Sequence, residues 1–352
     1  MTTIARESES HPRLSVIVPA YNGGTALTEC LAAVRGCAGP EHEVLVVDDA
    51  STDDTARQAE ACGVRVIRLP RNCGPAGARN EGARRARGDV FFFVDADVVL
   101  AADAVERVTR TLSDPAVAAT FGSYDAHPRA SGIVSQYRNL LHHFVHQTGR
   151  SEAFTFWAGC GAVRRAAFAE VGGFDSARYG NASIEDIELG CRLRRAGHRI
   201  VLDKQLLGTH LKRWTLRSMV STDLWRRAIP WSRLIFERSE FPADLNLKGA
   251  QRVSVALTGL ATVFLALSVW RSGFLLAAIV AVAAVIVLNR DLFGFLARER
   301  GVGFAAACVP LHLLHHFCSG LGFVLARLEL LFAGRLAAEP SLPAGRSTPN
   351  GR

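Results

Sequence analysis

Short apolar runs alternate with longer mixed segments through the first part of the chain. The runs lie at residues 14–18, 44–47, 64–69 and 90–94. Runs of this length separated by helix-like segments are typical of parallel strands joined by crossover helices. The pattern predicts a doubly wound, Rossmann-like α/β domain, in which ligands bind beyond the carboxyl ends of the strands.

The chain changes character near residue 250. Three stretches, residues 253–270, 272–288 and 301–326, contain no Asp, Glu, Lys or Arg. Each of the first two is about as long as a membrane span, whereas the third includes Pro310 and three histidines and therefore either spans or re-enters. We expect an α-helical membrane region with two or three transmembrane helices, and a set of buried core helices is the alternative.

Basic residues flank these apolar stretches unevenly. Arg and Lys crowd the approach to the first stretch and recur between the second and third, whereas the first link carries only Arg271. Positively charged flanks mark the cytoplasmic side of membrane segments. The distribution predicts a multi-pass protein of the cell membrane whose N-terminal domain is cytosolic, and residues 1–13 lack the apolar centre of a signal peptide.

Apolar and basic residues are interleaved between the two regions, at residues 215–236. This composition predicts an interfacial amphipathic helix broken at Pro230, and an ordinary helix packed on the globular domain is the alternative. We therefore divide the chain into five parts. They are a tail at 1–13, an α/β domain at 14–212, interfacial helices at 213–250, a membrane region at 251–333 and a disordered tail at 334–352.

The formal net charge of +8 over 352 residues suits anionic partners. Nucleotide diphosphates, an acidic leaflet and nucleic acid all qualify on charge alone. The basic residues cluster beside the apolar stretches and form no recognised nucleic-acid module, so we expect no nucleic-acid partner. The eight cysteines form no C-x-x-C pair, which predicts reduced thiols rather than a zinc site or a disulfide framework.

Polar residues follow three of the predicted strands. They are Pro19, Ala20, Tyr21 and Asn22 after the first, Asp48 and Asp49 after the second, and Asp95 and Asp97 after the fourth. Adjacent acids repel one another unless something binds them, and a ribose or a base edge offers suitable donors. Two carboxylates close together suit Mg²⁺ or Mn²⁺, whose shell substrate phosphates complete. The strand ends therefore predict a nucleotide and metal site.

Two neighbouring features have open interpretations. Ser51 and Thr52 either cap the helix that follows them or belong to the ligand site. Residues 74–80 open a helix with small residues and include Arg79, which either holds a phosphate by charge and backbone N–H groups or lies in a plain turn.

Taken in order, these motifs resemble those of family 2 glycosyltransferases with the GT-A fold. The series comprises residues 16–22, 46–53, 74–80, 95–97, 159–165, 172–175 and 185–189. The resemblance covers roughly residues 14–214. It implies a nucleotide-diphospho-sugar transferase that uses a divalent metal, Mg²⁺ or Mn²⁺.

The resemblance also implies roles for particular residues. The donor-binding candidates are Pro19, Ala20, Tyr21, Asn22, Asp49, Arg79 and Asp95, the last near the ribose. Asp97 would hold the metal, and Asp186 would be the base that takes the acceptor proton. Gly159 and Glu185 would lie on the acceptor side. Family members with this arrangement invert the anomeric centre by direct displacement.

The segment 210–214 faintly resembles the Q-x-x-R-W element of polysaccharide synthases but lacks its glutamine. That departure argues against processive synthesis. His210 is either a second metal ligand or a structural residue. Arg213 and Trp214 either grip phosphate or sugar, or sit at the membrane interface.

These features predict a membrane-anchored, inverting and non-processive glycosyltransferase of the hexosyl or N-acetylhexosaminyl class. Its acceptor would be a hydroxyl of a lipid, a lipid-linked sugar or a glycan. Three alternatives stay open. They are a polyprenyl-phosphate glycosyltransferase, whose ionised acceptor needs no strong base, a polysaccharide synthase, and a catalytically silent membrane scaffold that binds nucleotide sugars.

Overall fold

A computed structural model describes residues 13–237 and 249–337. The predicted N-terminal tail up to residue 12, residues 238–248 and the predicted tail beyond residue 337 lie outside the described residues. The last helix continues to Ala337. The predicted boundary at residue 334 therefore lies inside a helix, because Arg335, Leu336 and Ala337 are all good helix formers.

The first part of the chain folds as predicted into parallel strands with crossover helices. The strands are β1 (Leu14–Ala20), β2 (Glu43–Asp48), β3 (Arg65–Arg68) and β4 (Val90–Val94). The helices are α1 (Gly24–Cys37), α2 (Thr55–Ala61) and α3 (Gly74–Arg85). The strands pair in the order β3-β2-β1-β4, and all these pairs are parallel.

The sheet continues beyond β4 with strands that the apolar pattern did not predict. These are β5 (Val98–Leu100), β6 (Val117–Tyr124), β7 (Glu152–Ala153), β8 (Cys160–Arg164) and β9 (Arg199–His210). The order runs β4-β8-β6-β9-β5, and β8 is antiparallel to both of its neighbours. The described sheet is therefore mixed, with parallel pairs on one side of β8 and an antiparallel strand in its middle.

Helices and loops cover both faces of the sheet. The remaining helices of this domain are α4 (Ala104–Thr111), α5 (Ile133–Gln147), α6 (Arg165–Glu170) and α7 (Glu185–Arg195). Val16 of β1 packs with Leu27 on one face, whereas Phe91 and Phe93 of β4 pack with Phe168 on the other. Since successive strand residues point to opposite faces, a strand buried on both sides shows the continuous apolar run seen in the sequence.

The described part of the chain after β9 is helical. Its elements are α8 (Leu216–Ser221), a π-helical turn (Thr222–Ala228), α9 (Ile229–Glu237), α10 (Gly249–Leu267), α11 (Gly273–Leu288), α12 (Arg290–Arg300) and α13 (Val302–Ala337). Gly249–Leu267 and Val302–Phe332 are long and apolar enough to cross a membrane. The α11–α12 pair, bent by 71°, makes a third candidate if it counts as one span. Pro310 lies inside α13 without ending it.

The break predicted at Pro230 takes another form. A proline lacks an N–H, and its ring clashes with the carbonyl four residues earlier. The chain widens into the π turn just before the proline, where the N–H of Ile229 donates to the carbonyl of Leu224, five residues back. The helical path from Leu216 to Glu237 is therefore offset at this turn but not interrupted.

The segment predicted to be interfacial packs on both regions of the protein. Leu224 and Ile229 contact Cys318 of α13. Met219 belongs to a cluster that joins Leu140 of α5 to residues of α12 and α13. The α/β domain and the C-terminal helices thus share a core at α5, and the interfacial placement stays a prediction.

Candidate active site

The carboxyl ends of β1, β2 and β4 open into one large cavity. Its volume is about 1300 Å³, and the π turn, α9, α10 and α13 contribute to its lining. The predicted site residues that line it are Pro19, Ala20, Tyr21, Asn22, Asp49, Arg79, Asp95, Asp97, Glu185, Asp186, His210 and Trp214. The fold therefore brings together donor, metal and base candidates from motifs far apart in the sequence. Gly159 and Arg213 are not among the lining residues.

The adjacent acids after β2 have different surroundings. Asp48 accepts a hydrogen bond from the N–H of Ser51 at 3.0 Å and so fixes a turn in which Ala50 has a φ of +60°. Asp49 accepts from the N–H of Cys73 at 2.8 Å and faces the cavity. Backbone donors thus stabilise both buried carboxylates, and only Asp49 lies where a nucleotide can reach it.

Ser51 and Thr52 do not cap a helix. The N–H of Asn22 donates to the hydroxyl of Ser51 at 3.0 Å, and the N–H of Thr52 donates to the side-chain oxygen of Asn22 at 2.9 Å. Helix α2 begins only at Thr55. These bonds join the loops after β1 and β2, so they set the shape of the cavity at its donor end.

Arg79 has other partners than the expected phosphate. Its guanidinium is 2.7 Å from a carboxylate oxygen of Asp95 and 2.9 Å from one of Glu185, and only 4% of the residue is exposed. The two carboxylates raise the pKa of Arg79 although its burial acts in the opposite direction. We therefore interpret Arg79 as the residue that holds Asp95, after β4, next to Glu185 at the start of α7.

Replacing Arg79 by Met should lower the free energy of unfolding by about 3–5 kcal/mol, because the change leaves two carboxylates near one another without their shared cation. Urea unfolding of the purified protein in mild detergent, followed by tryptophan fluorescence, measures the change. Arg84→Met is the matched control, since Arg84 lies on the same helix in an exposed surface pair with Glu81, which should contribute little to stability. Equal effects of the two replacements would contradict this interpretation of Arg79.

Asp97 and His210 come together as predicted. Oδ2 of Asp97 lies 3.4 Å from Nε2 of His210. Nδ1 of His210 donates to the side-chain oxygen of buried Asn139 at 2.8 Å, and the ring stacks on Tyr124. Nε2 faces Asp97: in the protonated ring it donates to that carboxylate, and after losing its proton it presents a lone pair to the same position. Burial would raise the pKa of Asp97, but the hydrogen bond and charge of His210, together with Lys212, lower it.

Asp97 and His210 fit a divalent cation whose coordination shell is completed by the substrate. The described residues contain no group of three or more His, Cys, Asp or Glu able to hold an ion alone. Mg²⁺ and its relatives usually bind one or two side-chain ligands and take their other ligands from phosphates and water. One carboxylate and one oriented imidazole therefore suffice only when phosphate is present as well.

Asp186 lies in the first turn of α7, next to Glu185. Its Oδ1 accepts from the N–H of Ile187 at 2.8 Å, and its Oδ2 accepts from the N–H of Ala158 at 3.1 Å. Burial and the neighbouring charge of Glu185 raise the pKa of Asp186 to about 7. A carboxylate with a pKa near neutrality is well suited to accept a proton from a bound hydroxyl.

Gly159 supports the site without lining it. Its carbonyl accepts from the N–H of Asp95 at 3.1 Å, while the preceding residue, Ala158, bonds to Asp186. A Cβ at Gly159 would come within 2.6 Å of the Trp157 ring. The loop before β8 therefore connects the metal side of the cavity to the base, and any larger residue at 159 would displace Trp157.

The segment after β9 contributes different residues from those expected. Trp214 lines the cavity and is mostly buried, and its backbone N–H donates to the hydroxyl of Ser135 at 2.8 Å. Arg213 is exposed, whereas Lys212 lines the cavity with its ammonium 4.2 Å from the Trp214 ring. Arg226 and Arg227 of the π turn also line it. Their basic character was visible in the sequence, but their position depends on the packing of the π turn.

The amino-acid sequence is similar to known glycosyltransferases. The model of the family described as Glycosyl transferase family 2 matches residues 15–172. A pre-mycofactocin glycosyltransferase of Mycobacterium tuberculosis is 29% identical over 225 residues, which cover 60% of this chain and 45% of that protein. An N-acetylglucosaminyltransferase of Rhizobium sp. is 34% identical over 134 residues, 35% of this chain and 29% of that protein. The chain thus spans less than half the length of these relatives.

Solved structures show the same fold. A mannosyltransferase from Pyrobaculum calidifontis, in complex with GDP-Man and Mn²⁺, superposes with a TM-score of 0.57 at 18% identity, over 93% of this chain and 89% of that chain. GalNAc-T7 with UDP, GalNAc and Mn²⁺ gives a TM-score of 0.50 at 17% identity, over 71% of this chain and 51% of that one. Residues 15–172 therefore match the family 2 glycosyltransferase model, and the α/β domain that contains them has the GT-A fold of the solved glycosyltransferases.

Proposed function

We propose that the protein is an inverting, non-processive glycosyltransferase. It moves a sugar from a nucleoside diphosphate donor to a hydroxyl of a lipid, lipid-linked or glycan acceptor at the cytosolic face of the cell membrane. One observation carries this proposal: a single cavity joins the donor loops, the Asp97–His210 pair and Asp186 to the helices α10 and α13.

The donor end of the cavity suits a nucleotide. Tyr21, half exposed at the cavity mouth, can stack on a base, and the free oxygen of Asp49 can accept a hydrogen bond from the base edge or the ribose. Both solved relatives were bound to a nucleotide or a nucleotide sugar together with Mn²⁺. That common feature supports a nucleotide-sugar donor here.

Asp97 and His210 would hold Mg²⁺ or Mn²⁺ at the inner end of the donor site. When bound, such an ion supplies positive charge to the leaving diphosphate. Asp97 and His210 fix the position of that charge, and Asn139 and Tyr124 fix the imidazole. Lys212 adds a second cation to the same part of the cavity.

Asp186 would accept the proton of the attacking hydroxyl. A single displacement requires the nucleophile and the leaving group on opposite sides of the anomeric carbon, and the product then has the inverted configuration. The two backbone donors that fix Asp186 set its orientation toward the cavity. A base on the acceptor side and a metal on the donor side support this inverting arrangement.

The C-terminal helices support an acceptor that resides in the membrane. Two of them are long and apolar enough to span, and residues of α10 and α13 line the cavity. An acceptor held in the bilayer would reach Asp186 through this part of the cavity without leaving the membrane. The basic flanks of the apolar stretches support a cytosolic position for the α/β domain.

The test is a turnover assay on the full chain purified in detergent. UDP- and GDP-sugars are offered with Mn²⁺, Mg²⁺ or EDTA, in the presence or absence of a cell lipid extract. We expect one donor to be consumed only when both metal and lipid are present. The metal would bind between Asp97, His210 and the donor diphosphate, and the lipid would supply the acceptor.

Each other result has a definite meaning. Turnover that persists in EDTA would contradict the metal role of Asp97 and His210. Turnover with soluble sugars but not with lipid would contradict the membrane acceptor. Metal-dependent donor binding with no turnover on any acceptor fraction would favour the scaffold alternative.

A further inference from the structure

The basic side chains around the cavity differ in how their charge is balanced. Arg79 is paired with Asp95 and Glu185, and Arg138 is paired with Asp223. Arg226 and Arg227 line the cavity and form no ion pair with a carboxylate in the part of the chain that the structure describes. Within the described residues, the cavity thus contains two adjacent cations without an ion-paired carboxylate, and Asp223 and Asp186 act on Arg227 only as neighbouring charges.

The position of these arginines is built into the fold. They belong to the π turn, in which Asp223 is 2% exposed and contacts both the guanidinium of Arg138 from α5 and Nδ1 of His315 from α13, the latter at 3.0 Å. The hydroxyl of Ser183 donates to the carbonyl of Arg226 at 3.0 Å, which joins the turn to the residues before α7. Three elements of the protein therefore hold the π turn against the cavity.

The donor does not account for the charge of this pair. A nucleoside diphosphate sugar carries about two negative charges on its two phosphates, and a divalent ion beside Asp97, together with Lys212, would balance them. A second anion in the cavity would relieve this unbalanced charge.

The end of the cavity formed by the C-terminal helices has both apolar and polar lining. Trp231 and Ile235 of α9, Val255 of α10 and Phe323 of α13 line that end, and Arg252, His315 and Ser319 line it as well. Helices α10 and α13 are the two elements long and apolar enough to cross a membrane. A ligand that matches this end therefore combines an anionic head with an apolar chain.

We propose that Arg226 and Arg227 bind an anionic headgroup of the acceptor, and that the acceptor is a lipid that carries a phosphate beside the hydroxyl to be glycosylated. The apolar chain of this lipid lies along Trp231, Val255 and Phe323 and leaves the cavity between α10 and α13. The inference rests on the proposed function, because it names the acceptor class of the same site.

The test measures binding of radiolabelled dodecyl phosphate to the full chain in a neutral detergent, with dodecanol and inorganic phosphate as competitors. We expect dodecyl phosphate to bind, and neither competitor to displace it at equal concentration. The double variant Arg226→Gln/Arg227→Gln should bind it about tenfold or more weakly, since each charge-assisted contact is among the stronger hydrogen bonds. Its affinity for a nucleoside diphosphate with Mn²⁺ should stay within about twofold of the original.

Controls separate binding from folding. Arg217→Gln removes an exposed arginine of α8 that does not line the cavity, and it should change neither affinity. The variant Arg226→Lys/Arg227→Lys retains the charges and should recover part of the lipid affinity. The thermal unfolding midpoints of all variants are compared, and the nucleotide affinity of the Gln variant serves as an internal check that its cavity is intact.

Three results would overturn the proposal. Equal displacement by dodecanol would show that only the apolar chain is recognised, and displacement by inorganic phosphate would show a free phosphate site. A parallel loss of nucleotide affinity in the Gln variant would assign both arginines to the donor. Absence of any nucleotide binding by the original chain would instead contradict the proposed function, and lipid binding would still be measured independently.

Discussion

Replacing Asp186 by Asn is expected to lower kcat by about 10²–10⁴-fold, which is the usual contribution of a positioned general base. Asn has nearly the same shape and can keep the bond from the N–H of Ala158, but it cannot accept the acceptor proton. The affinity for the donor nucleotide should not change, because the described hydrogen bonds of Asp186 go to Ala158 and Ile187 and not to the donor loops after β1 and β2. Initial rates at saturating donor, together with equilibrium nucleotide binding, measure both quantities.

The pH dependence should report the same carboxyl group. With a pKa raised to about 7, Asp186 is protonated and inactive as a base below that pH, so kcat should fall as the pH decreases through about 7. The sign for stability is opposite: the raised pKa favours the protonated folded state, and this contribution is lost as the pH rises through about 7. The acid limb should be absent from the residual activity of Asp186→Asn.

Glu170→Gln is the control, because Glu170 is an exposed acid of α6 outside the cavity. Its kcat and its pH profile should match those of the original chain. Full turnover in Asp186→Asn would exclude Asp186 as the base and would favour a phosphate acceptor, since an ionised phosphate oxygen attacks without losing a proton. In that case the phosphate proposed for Arg226 and Arg227 would itself be the nucleophile.

Replacing Asp97 by Asn should lower turnover by about 10³-fold, an effect similar to the loss of a main source of charge stabilisation at a reacting centre. The only carboxylate next to His210 Nε2 within the described residues is that of Asp97, and an amide is a much weaker ligand for Mg²⁺ or Mn²⁺. Turnover titrated with Mn²⁺ measures the effect. Part of the loss should be recovered at high Mn²⁺ concentration.

A graded variant strengthens that test. Asn139→Ala leaves both expected ligands in place but removes the acceptor that orients His210, so the apparent Mn²⁺ affinity should fall about 10–100-fold. At saturating Mn²⁺ this variant should approach the original kcat, whereas Asp97→Asn should not. Identical metal titrations for the original chain and both variants would remove Asp97 and His210 from the metal site.

The features that could be predicted from the sequence are those set by residues close together along the chain. The run at 90–94 matches β4 because a strand buried on both faces must be apolar throughout, and the acids that follow it must lie at the carboxyl edge of the sheet. The antiparallel strand β8 was not predicted, since its direction depends on its pairing with β4 and β6 and not on its own composition. Long-range pairing leaves no periodic signal in a five-residue strand.

Site residues followed the same division. Asp97, His210 and Asp186 were predicted because their motifs have characteristic spacing, and the cavity does bring them together. The partners of Arg79 were not predictable, because Glu185 approaches it only through the packing of α7 on the sheet. Trp157 was also missed, although it packs edge-to-face with Tyr124 and lines the cavity, since a single aromatic residue in a loop gives no pattern of its own.

Because both regions of the protein line the cavity, the α/β domain cannot be expressed alone with a complete site. Its boundary after residue 212 looks natural in the sequence, yet α5 packs against α8, α12 and α13, and residues of α10 and α13 line the cavity. A shortened chain that ends before α10 would keep every donor motif and Asp186 but would lose part of the acceptor end. In such a fragment the cavity would be open on the side that α10 and α13 now cover. The fragment could hold a nucleotide sugar but would leave its anomeric carbon accessible to water.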